Sequence, residues 1–181
     1  MSPRRGEVVE HERCDACGFD GADYDDDSLL DALRGLGEQW RALIDSTGSE
    51  LRRRPATQVW SAIEYAAHSR DVTALHAFGV EQAITIEEPS YPAIEGDDLI
   101  ESAASTYGDE DSDEVIAALG AHATRLAALA DDAGPHVWSR GLTIGDSRSD
   151  VRRLLEHALH DSLHHLADVE RGLVALRAQS S

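Results

Sequence analysis

Residues 148–176 read RSDVRRLLEHALHDSLHHLADVERGLVAL. At roughly 100° per residue, Val151, Leu155, Ala158, Ser162, Leu166, Val169 and Leu173 fall within about 80° of one another on a helical wheel. That is a core-facing stripe interrupted by a single hydroxyl, and a long amphipathic helix needs partners to cover it. Three other segments supply them. DSLLDALRGLGEQWRALIDS (27–46) carries Leu29, Leu33, Leu36, Trp40, Leu43 and Ile44 at helical spacing and predicts a helix over 28–46, capped by Asp27 or Ser28. After Pro55, an alanine-rich stretch predicts a second helix from 58 to 84, apolar on several sides as a helix between neighbours would be. DSDEVIAALGAHATRLAALADDAG (111–134) predicts a third, with an acidic first turn and Gly134 as its stop.

Strand signals are nearly absent. IEEPSYPAIEGDD (86–98), with two prolines and five acids, reads as a long crossover loop. PHVWSRGLTIGDS (135–147) reads as a connector with a short extended piece, and Trp138 as its buried anchor. The expected fold is all-α, a four-helix bundle over 27–178 preceded by a short irregular extension over 1–26.

Composition narrows the function. The chain has 35 acidic and 16 basic residues, a formal net charge of −19. Such a surface repels phosphate backbones, and Arg52, Arg53 and Arg54 form only a short basic run, so nucleic acid is not expected as a partner. No apolar run reaches the length of about 18 residues that a membrane helix needs. The first residues, MSPRRGEVVEHER, lack the apolar core of a secretory signal, so the expected compartment is the cytoplasm.

The histidines carry the chemistry. His157, Asp161, His165 and Asp168 stack along one edge of the last helix at spacings of four, four and three. Residues four apart meet on adjacent turns, as in helical metal motifs. His165 lies nearest the core stripe, whereas His160 falls roughly opposite it and His164 only somewhat nearer, so that pair is expected to face solvent. Helix two offers His68 and, two turns later, His76. Two imidazoles and a carboxylate form a mixed donor set with open positions for water or substrate. A hydrogen-bonded histidine edge without metal fits the same spacing.

Cys14 and Cys17 form a CxxC followed by Gly18, half of a zinc-ribbon pattern whose second half is missing because the chain has two cysteines only. A flexible tail with exposed thiols, a small knuckle completed by a histidine such as His11, and a redox pair all remain open.

The sequence over 28–177 resembles the DinB-like metal-binding four-helix bundles, which include mycothiol-dependent maleylpyruvate isomerases and bacillithiol S-transferases. The resemblance rests on Trp60 followed eight residues later by His68, and on DSLHHLADV (161–169), where Asp161, His165 and the apolar Val169 match the pattern of the last helix. The acid, the doubled histidine and Asp168 are closest to the mycothiol-using branch. The resemblance implies metal ligands His68, Asp161 and His165, zinc or nickel as the ion, and a low-molecular-weight thiol with an electrophile as substrates. The family's first helix-four ligand is usually His or Glu, and Asp161 is one methylene shorter than Glu; the fallback pair is His160 with His164 on a rotated helix. Arg70 or Arg140 are candidates to meet a substrate carboxylate, and Asp71 or Asp168 to orient a ligand histidine. The implied activity is a metal-dependent thiol transferase or isomerase; metal-assisted hydrolysis and a non-catalytic metal-binding module are the alternatives. Bundles of this type leave a homodimer open.

Overall fold

The computed structural model describes residues 10–92 and 106–179. Each helix begins where a carboxylate or hydroxyl reaches free backbone N–H groups. Asp25 accepts from Ser28 N at 2.8 Å and opens α1 (Asp26–Thr47). The cap therefore lies two residues before Asp27, and Ser28 is a donor to it. Ser61 and Glu64 form a capping box that starts α2 (Ala62–Thr85). That start is four residues later than the sequence pattern predicts, because residues 56–59 make a tight bridge ahead of it. Asp111 accepts from the N–H groups of Asp113 and Glu114 at the head of α3 (Ser112–Ala133). Gly134, at φ 80°, ends that helix in a conformation that favours glycine. Asp150 accepts from Arg153 N at 2.8 Å at the start of α4 (Val151–Gln179).

α1 and α2 each pack against both α3 and α4, while α1 barely touches α2 and α3 barely touches α4. Around the bundle the order is therefore α1, α3, α2, α4, with sequence neighbours α1 and α2 on one diagonal. The core between them includes Leu33, Trp40, Ile63, Leu119, Leu126 and Leu155, all fully buried. Trp138 is buried too and donates from Nε1 to Ala130 O at 3.0 Å, the anchoring role its position in the connector predicts.

Two small sheets escape the helical pattern. β1 (Arg13–Cys14) pairs antiparallel with β2 (Phe19–Asp20). β3 (Ser90–Tyr91) runs parallel to β4 (Gly141–Ile144), which turns back through Gly145 (φ 59°) into antiparallel β5 (Ser147–Asp150). Strands of two to four residues show too little alternation to be read from sequence. Part of the predicted crossover loop, 93–98, lies outside the described residues. Among the described residues no helix is long and apolar enough to cross a membrane.

Candidate metal centre

The packing of α2 on α4 sets His68 against the edge of the helix that carries Asp161 and His165. His68 Nε2 lies 3.7 Å from Asp161 Oδ1, and His165 Nε2 lies 3.5 Å from the same oxygen. One donor atom from each of the three residues falls within 4.8 Å of the other two. In spite of its short side chain, Asp161 reaches both imidazoles. Donor atoms on an ion bound at about 2.0–2.2 Å are separated by roughly 3.3–3.6 Å in a tetrahedral arrangement; the 3.5 Å spacing falls in that range and the 3.7 Å spacing just above it.

Aromatic rings wall the group. Trp60 lies against His68 with centroids 5.2 Å apart, and Tyr65 against His165 at 4.9 Å. Burial opposes ionisation of Asp161, yet the hydrogen bonds and charge of His165 and His68 prevail and hold its carboxyl far below the usual range. Burial also disfavours the charged form of His165, but Asp161 and Asp168 outweigh it and raise its pKa. Asp168 Oδ2 accepts from His165 Nδ1 at 2.9 Å, which leaves the lone pair of Nε2, on the side of Asp161, to bind an ion. Among the described residues, Asp161 Oδ2 is buried without a hydrogen-bond partner. A buried, ionised carboxylate with one oxygen unpartnered is suited to bind a cation.

Other sequence candidates lie elsewhere or are engaged. His76 stacks on His157 at 5.2 Å, pairs through Nδ1 with Val72 O, and has its pKa pushed down to about 4 by burial. Arg70 is clamped by Asp71 and Glu110, and Arg140 by the carbonyls of Ile84 and Ile86, so neither stands open for a substrate carboxylate. Asp71 accepts from Tyr107 Oη at 2.8 Å and from Arg70 rather than from a ligand histidine.

The expectation that His160 and His164 face solvent is overturned. The segment from residue 10 to β2 lies over them, and their side chains are only 14% and 27% exposed. A wheel of α4 alone has no knowledge of a segment some 145 positions earlier in the chain. Cys14, Cys17, His160 and His164 form a second group with donor atoms within 4.8 Å of one another, and Glu12, His157 and His160 a third. His11 is not part of the cysteine group; it pairs with Glu156 Oε1 at 2.7 Å. The Cys14 thiol is pulled down chiefly by the backbone N–H of Cys17, while burial pushes the Cys17 thiol up. Glu12 and Glu156, both buried, went unread because nothing local marks an acid as the partner of a distant helix.

The family model described as the DinB superfamily matches residues 32–169. Among solved structures, YfiT from Bacillus subtilis, described as a probable metal-dependent hydrolase with an unusual four-helix bundle topology, matches with a TM-score of 0.73 at 18% identity, covering 96% of this chain and 95% of its own. No curated protein matches the chain.

Proposed function

The chain belongs to the DinB superfamily, and on that premise we propose that it is a metal-dependent enzyme whose divalent ion, zinc or nickel, is held by His68, Asp161 and His165. The observation that carries this reading is the buried carboxylate of Asp161, shared between imidazoles from two helices and left with one unpartnered oxygen. Bound there, the ion supplies a Lewis acid that favours the deprotonated form of a thiol or of water. The chain's own residues prepare the place. Asp168 holds the proton on His165 Nδ1 and so fixes the tautomer and tilt of the ring. Trp60 and Tyr65 pack the imidazoles into position and keep water from their faces.

The reaction we infer is transfer or isomerisation with a low-molecular-weight thiol of the mycothiol kind, the second substrate being an electrophile. The catalytic bundle is residues 27–178, working in the cytoplasm as monomer or homodimer, with neither nucleic acid nor membrane as a partner. Metal-dependent hydrolysis is the second reading, and the likeness to YfiT favours it. Both readings use the same ligands. The deciding experiment loads purified protein with zinc or nickel and assays conjugation of a thiol to model electrophiles beside hydrolysis of model amides and esters. Activity in the first assay that is lost in His165→Ala supports thiol transfer. Activity in the second alone moves the assignment to hydrolysis. A metal-loaded protein inert in both is a binding module.

A further inference from the structure

The CxxC motif is not used by that reading, and the structure gives it partners. Cys14 ends β1, Cys17 sits in the turn, and Gly18 N donates to Cys14 O at 2.8 Å. Gly18 has φ 77°, which closes the turn at little steric cost. This knuckle rests on the face of α4 that carries His160 and His164, one helical turn apart.

Each imidazole has an acid beside one of its nitrogens. His160 Nδ1 lies 3.0 Å from Glu12 Oε1, and among the described residues its buried Nε2 has no partner. His164 Nε2 lies 3.6 Å from Asp168 Oδ2, and its Nδ1 lies 3.7 Å from Cys14 Sγ. Carboxylates that orient the far nitrogen are the usual companions of metal-binding histidines. Two sulfurs at about 2.3 Å and two nitrogens at about 2.0–2.1 Å from one zinc lie roughly 3.3–3.8 Å apart. The Cys14–His164 distance falls in that range, and all four donors lie within 4.8 Å.

Glu12 belongs to the support, not to the ligand set. It is ion-paired to Arg153 at 2.6 Å and lies beside both His157 and His160. Phe19 stacks on His160 at 5.2 Å and shields the group on its other side. The hairpin has only a two-residue ladder, too little to hold its own shape.

We propose that Cys14, Cys17, His160 and His164 bind one zinc ion in a closed tetrahedral site, distinct from the His68–Asp161–His165 centre, and that this ion clamps the N-terminal knuckle onto α4. All four positions are protein donors, so the site is structural. It lies back to back with the other centre, the rings of His164 and His165 being 5.6 Å apart with Asp168 between them.

The test uses the reduced full-length chain loaded with Co2+, whose thiolate charge-transfer absorption reports sulfur ligands and is blind to the sulfur-free centre. The expected result is a charge-transfer band in the wild type and in His68→Ala/His165→Ala, absent in Cys14→Ser/Cys17→Ser. Zinc content should fall by one equivalent in the serine variant, and the wild-type thiols should react with a disulfide reagent only after chelation. A wild-type cobalt spectrum without that band overturns the proposal without the need of any variant. So does a Cys14–Cys17 disulfide that forms unhindered in excess zinc. Neither result bears on the centre at Asp161, which is read by metal lost in His165→Ala.

Discussion

Ser162 sits in the middle of the apolar stripe of α4 and is fully buried. Its hydroxyl is there for Trp40, whose Nε1 donates to Ser162 Oγ at 2.7 Å across the core. Replacing Ser162 by alanine strands a buried N–H, and the expected loss of unfolding free energy in urea is about 1–3 kcal/mol. Trp40→Phe in that background removes the stranded donor, so the double variant should show a coupling of the two losses rather than their sum. Additive losses would mean that the bond contributes nothing. At this scale the sequence was half readable. Period alone separates Asp161 and His165 from the outer face of α4, because i and i+4 residues share an edge. It misplaces His160 and His164, since exposure depends on what another segment lays over a helix.

At the scale of elements, four helices follow from the spacing of leucines, alanines and capping acids, with ends displaced by a few residues where a turn competes with the first helical bond. How the helices pair is a different matter, decided by where they approach closely. α1 and α3 meet at Gly37 and Gly120. A methyl group built on Gly37 would lie 2.8 Å from Gly120 Cα, closer than carbon atoms pack, whereas one built on Gly120 would lie 3.4 Å from Gly37 Cα. Alanine improves helix propensity by about 0.8–1 kcal/mol over glycine at either position. Backbone cannot yield as a flexible side chain does, and overpacking costs about 1–3 kcal/mol. Gly37→Ala should therefore be destabilising, and Gly120→Ala less so or neutral. Thermal unfolding of the two variants checks this, and a more stable Gly37→Ala would show that the helices can separate at no cost. No rule of periodicity marks these two glycines, because each reads as a weak helix position until its partner is known.

The N-terminal segment is joined to the bundle at Glu156, a fully buried residue of α4. Arg152 Nε lies 2.6 Å from its carboxylate, His11 Nδ1 2.7 Å and the backbone N–H of Glu12 2.8 Å. Gly21 packs so closely that a methyl group there would come within 2.4 Å of Glu156 Oε2. Burial alone would raise the pKa of this acid, but Arg152, the Glu12 N–H and His11 together bring it below its ordinary value. A carboxyl more acidic folded than unfolded adds stability that is complete above the unfolded pKa of about 4.3 and is lost as pH falls through the lower folded value. Asp150, close by, has the opposite sign: burial raises its pKa, and it becomes less unfavourable as pH falls toward that value. Acidification should therefore loosen residues 10–25 through Glu156, with Asp150 offsetting part of the loss. Glu156→Gln keeps the shape but not the charge, and it leaves Arg152 with Asp26 and the carbonyls of Gly21 and Tyr24. Hydrogen exchange at Cys14–Asp20 amides, followed from pH 7 toward 3 on chelated protein so that metal release plays no part, reads the effect directly. The wild type should lose protection on acidification after correction for the intrinsic exchange rate. The glutamine variant should be less protected at pH 7 and should lose less protection on acidification than the wild type, because Asp150 and His160 still titrate in both. Equal losses in the two proteins would mean that Glu156 contributes nothing to the docking of the knuckle.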